Sequence, residues 1–354
     1  MRKEGRRARF RFQREYGLLV LFVVLFVWFA MTVEGFFSRE NLLDSVLRDR
    51  AHLGVLAVGM TLVILTRGID LSVGSIVALS AVAMGLTWKL TGNGVLALGA
   101  AFGTGALCGV VNGLLISRGR VPPLIVTLAT LSVYRGLAYA FGSSTNFGGF
   151  PQLILSWSRD DLLGLPVPLW VLLAVFLGFG IYLAKTQGGR AVYAVGSNPA
   201  AAQLSGVPVN LVKLRVYLVS GLLAGLAAIL YAARNDSVRA DIGQEYELIA
   251  ITIVVLGGTS VAGGEGSIAG TVFGFLMLQA IQSRIELNNT LSIGSFHTTL
   301  PREIHGVIVA VLLIGALLLD AWSRKRARAS GATQSPTGAA GAPPAEATAL
   351  SAGA

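Results

Sequence analysis

Long apolar runs separated by short polar stretches dominate the chain, and the runs have the length of membrane spans. A helix needs about 20 apolar residues to cross roughly 30 Å of hydrocarbon. Candidate runs lie at 16–33, 51–66, 72–88, 95–116, 123–141, 167–184, 211–233, 246–262, 266–283 and 303–320. The pattern predicts an all-α polytopic membrane protein with about ten transmembrane helices. The first run carries a basic flank, as a signal peptide would, but no A-x-A-like cleavage site follows Met31. It therefore reads as an uncleaved first helix.

Composition sharpens this. Of the 354 residues 54% are hydrophobic and only 13% charged, against about 25% charged in ordinary soluble domains. Mean hydropathy is +0.69. A soluble enzyme and a disordered regulator are both excluded. The 44 glycines follow no Gly-X-Y period, which excludes collagen. The formal charge of +10 is concentrated at the two ends. Residues 1–15 form a basic tail, 16–323 a nearly neutral transmembrane domain, and 324–354 a tail that is first basic and then rich in Ala, Gly and Pro. From Ser330 onward only Gln334, Glu346 and Leu350 fall outside Ala, Gly, Pro, Ser and Thr. That composition cannot build a core, and disorder is expected of it.

Basic residues flank spans on the cytoplasmic side. Arg118, Arg120, Lys185, Arg190, Lys213 and Arg215 fall on alternate loops, whereas Asp236, Asp241, Glu245 and Glu247 outnumber Arg234 and Arg239 on another. The expectation is a multi-pass protein of a bacterial inner membrane with both termini cytoplasmic. The tails are accounted for by that rule, and no nucleic acid is expected. Cys108 is the sole cysteine, so internal disulfides and thiolate metal sites are excluded. His52, His297 and His305 lack ligand-like spacing.

Two apolar runs are interrupted in a similar way. Thr66-Arg67-Gly68-Ile69-Asp70-Leu71-Ser72-Val73-Gly74-Ser75 breaks the first, and Leu256 through Ser267, with Gly257, Gly258, Thr259, Ser260, Gly263, Gly264, Glu265 and Gly266, breaks the second. Irregular backbone at membrane depth survives only where protein buries it or water reaches it. Such paired, glycine-interrupted segments point to a transport pathway. Asp70 costs about 2.5–3.5 kcal/mol at mid-membrane on the insertion scale, and Arg67 lies one helical turn away, close enough to pair with it. Two readings of Asp70 stand: a gate or polar pore wall, or a helix cap completed by Ser72 and Ser75.

Between two spans lies Gly188 through Val207. Ser197 or Asn198 is suited to cap a short helix, Pro199 to its first turn, and Gly206 to its left-handed stop. Ala200, Ala201 and Ala202 would give that helix a smooth face. It reads either as a docking segment for a cytoplasmic partner or as a plain connector.

Four blocks together resemble the membrane permease subunits of bacterial sugar ABC importers, the ribose, xylose, rhamnose and autoinducer-2 group. They are Thr66–Ser75, Asn112-Gly113 followed by Val121-Pro122-Pro123-Leu124-Ile125-Val126-Thr127-Leu128, Gly189-Arg190 through Gly206, and Val255 through Gly270. The resemblance implies that Gly196, Ser197, Asn198, Pro199, Ala200, Ala201, Ala202, Ser205 and Gly206 form the segment that couples to the ATPase. It implies that Gly68, Asp70, Ser72, Gly74, Ser75, Asn112, Thr127, Thr259 and Ser260 lie along the translocation path or gate. It also implies a second permease copy or sister permease, two cytoplasmic ATP-binding subunits that use ATP and Mg, and an extracytoplasmic sugar-binding protein.

No cofactor is expected on this chain, which has no G-x-x-x-x-G-K-[ST] phosphate loop and is read as a pore and not an enzyme. Asp236 through Gly243 is more similar to the rhamnose and autoinducer-2 members, whereas Arg67 departs from the small residue common in the family. Two alternatives accompany this reading. One is a branched-chain amino acid or nucleoside ABC permease, and the other is an ion-coupled secondary transporter using Asp70 and Glu265.

Overall fold

The computed structural model describes residues 47–142 and 145–287, with isolated positions at 38–43 and shorter pieces between 290 and 321. The run 16–33 and both tails lie outside the described residues. Among the described residues five helices are long and apolar enough to cross a bilayer. These are α2 (Val73–Thr91), α3 (Gly94–Ser117), α4 (Pro123–Gly142), α6 (Val167–Lys185) and α9 (Val209–Asn235). Shorter apolar stretches are α1 (Ala51–Leu65), α10 (Tyr246–Leu256), the Ile268–Ser283 part of α11 (Ile268–Leu287) and a piece at Val309–Leu318. Between them lie α5 (Gln152–Arg159), α7 (Gln187–Ser197) and α8 (Pro199–Leu204).

Of the expected spans, 246–262 is cut short at Leu256, whereas 51–66 ends within one residue of its expected limit, at Leu65. At 1.5 Å per residue, α1 covers about 22 Å and α10 about 16 Å, so neither reaches across the hydrocarbon. Glycines and polar side chains follow the last residue of each helix, and the chain turns there within the bundle. The spans run alternately up and down. At one end, β1 (Phe147–Gly148) pairs antiparallel with β4 (Ser237–Val238), beside α5 and the small β2–β3 hairpin (Asp161–Leu162, Leu165–Pro166). The opposite end carries α7 and α8. A last hairpin joins β5 (Thr290–Ile293) to β6 (Phe296–Thr299).

α1 is apolar on all sides and every residue in it is buried, so it forms the axis of the bundle. α3 and α9 lie against each other through small residues. Ala101, Gly105, Gly109 and Gly113 recur every fourth position on α3 and face Gly221, Gly225 and the backbone of Tyr217 and Leu214 on α9. A β-carbon at Gly105 or Gly109 would run into the carbonyl oxygen of Gly221 or Tyr217. Lipid offers helices little hydrophobic reason to associate, and close backbone approach supplies the attraction instead. This packing presses Asn112 of α3 and Ser220 of α9 toward the first break.

Candidate functional site

The first break is built around Asp70, which is 1% exposed. Its Oδ1 accepts the backbone N–H of Ser72 at 3.0 Å and the Ser72 hydroxyl at 2.6 Å. Its Oδ2 accepts from Ser220 Oγ at 3.4 Å. The Ser72 hydroxyl in turn accepts from Asn112 Nδ2 at 2.8 Å, and Asn112 Oδ1 faces the Tyr134 hydroxyl at 3.1 Å. Tyr134, Asn112, Ser72 and Asp70 thus form one chain of donors ending on a carboxylate, in which each bond polarises the next. Ser75 donates back to Ser72 O, and Thr127 of α4 donates to Ile69 O at 3.0 Å. A buried carboxylate needs several donors to offset its lost hydration, and this cluster provides them.

The carboxylate makes an Asx-type turn just ahead of α2, whose N-cap position is Ser72 and carries no side-chain cap bond. It packs against the middle of α9. Ser220 lies about 16 Å from the start of α9, near the middle of that 27-residue helix. The predicted pairing with Arg67 does not form: among the described residues Asp70 has no ion pair. Arg67 adopts left-handed backbone geometry (φ 62°), and its side chain leaves in another direction. Its Nε donates to Gly196 O and its Nη2 to Ser197 O.

Gly68 and Gly74 are places where chain passes close to chain. A β-carbon at Gly68 would meet the Tyr217 hydroxyl, and one at Gly74 the carbonyl of Gly243. The 236–245 loop dips into the bundle to reach Gly74, and Arg135 of α4 secures it by donating to Ala240 O at 2.9 Å and Ile242 O at 2.6 Å. All nine residues assigned to the path (Gly68, Asp70, Ser72, Gly74, Ser75, Asn112, Thr127, Thr259 and Ser260) are buried within this one chain.

Thr259 and Ser260 belong to a different cluster. The second break closes on itself: Ser260 N–H donates to Glu265 O at 2.8 Å and Gly263 N–H to Ser260 O at 2.9 Å. Gly263, Gly264 and Gly266 take positive φ values of 81°, 76° and 154°. The Thr259 hydroxyl has no partner among the described residues. Glu265 is exposed.

The segment at 196–206 folds as its sequence suggests. Asn198 Oδ1 accepts from Ala200 N–H and Ala201 N–H, both at 3.1 Å, Pro199 opens α8, and Gly206 closes it at φ 81°. Its presented face differs. Ala202 is buried, and Ala200, Ala201, Gln203 and Leu204 are exposed, Leu204 by 91%. Gly196 sits where Leu65 O receives the N–H of Gly264 at 3.0 Å; a β-carbon there would meet both atoms. Tyr193 of α7 donates to Gly266 O at 2.9 Å. Both breaks and the α7–α8 segment therefore meet at one junction.

Residues 42–317 match the family model described as "Branched-chain amino acid transport system / permease component". The chain belongs to this permease family. The permease is 39% identical over 310 residues to the ribose import permease protein RbsC of Escherichia coli K12, covering 86% of this chain and 93% of that one. Against RbsC of Bacillus subtilis it is 38% identical, covering 84% and 90%. Against the autoinducer 2 import system permease protein LsrD of E. coli O9:H4 it is 34% identical, covering 87% and 93%.

Sequence reasoning missed Tyr134, Ser220, Tyr193 and the partners of Arg67. The Ala101-Gly105-Gly109-Gly113 spacing was legible as a close-packing stripe, and Ser220-Gly221 in an apolar run marked its counterpart.

Proposed function

We propose that this permease is the membrane subunit of an ATP-driven importer for a monosaccharide or sugar-like solute. The observation that carries this is its 34–39% identity to ribose and autoinducer 2 import permeases along 84–87% of its length. It pairs with a second copy or a sister permease, takes solute from an extracytoplasmic binding protein, and leaves ATP hydrolysis to two partner subunits. Both termini lie in the cytoplasm, in keeping with the basic loops at the α7–α8 end. A rhamnose-like solute and ribose are equally compatible with the chain.

In this reading α8 seats on the ATPase. An apolar side chain as exposed as Leu204, beside Ala200 and Ala201 on a short capped helix, suits a partner surface better than water. The buried Asp70 cluster sets the shape of the gate from behind, since its side chains face protein. The fall from the Arg67 junction to that cluster is only three residues of chain, so a push on α8 reaches the gate through few joints.

The test is Ala201→Glu, examined with the partner subunits co-expressed. The charge should leave membrane insertion intact, because a glutamate on a solvated helix costs little, while obstructing a close contact. The expected result is normal membrane levels, reduced ATPase co-purification and little sugar uptake. Normal co-purification and uptake would remove the coupling assignment.

The family description favours a second solute class, branched-chain amino acids. Uptake of labelled ribose competed by unlabelled leucine separates the two: leucine competition, or leucine uptake alone, supports the second.

A further inference from the structure

Arg67 stands out because its position is costly and its partners are unusual. A non-glycine residue at φ 62° is uncommon, and none of the ion pairs among the described residues involves it. Its guanidinium is instead spent on two consecutive carbonyls, Gly196 O and Ser197 O. These are the last two residues of α7, where helix carbonyls lack intrahelical partners and carry the negative end of the dipole. The next residue, Asn198, caps α8. On its way the Arg67 side chain crosses Gly263 of the second break, where a β-carbon would collide with Arg67 Cγ. Only a planar fork with several fixed donors meets two adjacent carbonyls at once.

We propose that Arg67 is a positioning residue that makes the α7–α8 segment and the first break move as one body. The inference rests on the importer reading above. A displacement of α8 carries Gly196 and Ser197 with it. The fork carries Arg67, and three residues later the chain enters the Asp70 turn just ahead of α2. Tyr193, donating to Gly266 O, ties the second break to the same helix. Without the fork α7 still contacts the bundle, but its motion is no longer delivered in register to the first break.

The complete transporter, with its ATPases and binding protein in proteoliposomes, provides the test, using D-ribose as probe. Arg67→Met keeps the stem and removes the fork. The expected result is wild-type ATPase co-purification and KM for ATP, with sugar carried per ATP hydrolysed lowered about tenfold. Arg67→Lys, which retains a donor, should recover part of that ratio, and a merely space-filling role would give no such order. Arg67→Gln serves if Arg67→Met does not assemble: an intermediate ratio supports the proposal and a wild-type ratio overturns it. A wild-type ratio in Arg67→Met overturns it as well. A wild-type transporter that hydrolyses ATP and moves none of a sugar panel overturns the importer reading itself, a result readily told apart from the others.

Discussion

The two breaks interrupt apolar helices with the same ingredients, an acid, glycines and a serine, yet they are held by opposite means. At the first, the acid turns inward. Asp70 collects donors from Ser72 and Ser220, and Asn112 and Tyr134 reinforce them. At the second, the acid is a surface residue, and glycines do the holding. Gly257 and Gly270 approach so closely that a β-carbon on either would strike the other's carbonyl, and Ser260 closes the turn through its backbone. A polar network resists deformation because each bond depends on its neighbours. A glycine-lined turn resists only overlap. The first break is thus built as a rigid element and the second as a close-fitting one, which also argues against Asp70 and Glu265 acting as an equivalent pair of ion sites.

This contrast is open to attack by substitution. The largest effect should come from Asp70→Ala, which strands the Ser72 N–H inside the bundle. A loss on the order of 3 kcal/mol is expected, visible as a lowered unfolding midpoint of the purified permease in nanodiscs. A loss below about 1 kcal/mol would mean that water reaches the cluster.

Next is Gly270→Ala, which forces α10 and α11 apart and should cost about 1–3 kcal/mol. The same thermal measurement checks it, and a neutral result would show that the second break has slack.

A smaller, paired comparison uses Thr→Val at both sites. Thr127→Val loses the bond to Ile69 O and should cost about 1 kcal/mol. Thr259→Val removes a hydroxyl with no partner among the described residues and should be neutral or stabilising. Equal costs at the two positions would dissolve the distinction between the breaks. Smallest of all, Glu265→Ala should stay within about 0.5 kcal/mol and leave uptake unchanged. A large drop in uptake at normal expression would bring the ion-coupled alternative back.

Much of this architecture was legible before any coordinates. Hydropathy marks a span by itself, since a backbone in lipid must satisfy its own hydrogen bonds and a helix does so locally. The short helix α8 was equally readable, because Asn198, Pro199 and Gly206 act on the backbone within a few residues. Both breaks were visible as glycines and charges where apolar residues were due. The length of α1 was readable to within a residue, but that of α10 was not, because Val261 and Ala262 prolong the apolar composition past Leu256, where the helix stops.

What the sequence alone determined is therefore local: a chain of apolar helices, two places where they fail, and one capped connector. The tertiary structure decided the long-range partners of the charged and polar side chains at those places. Asp70 finds Ser220 across 150 positions and Arg67 finds Gly196 across 129. Arg67 and Asp70, one turn apart on paper, point to different partners because the backbone between them is not helical. Spacing in sequence predicts contact only while the period of a regular element holds. Where the helix breaks, the nearest donor is set by how α3, α7 and α9 pack, and that is a property of the assembled bundle.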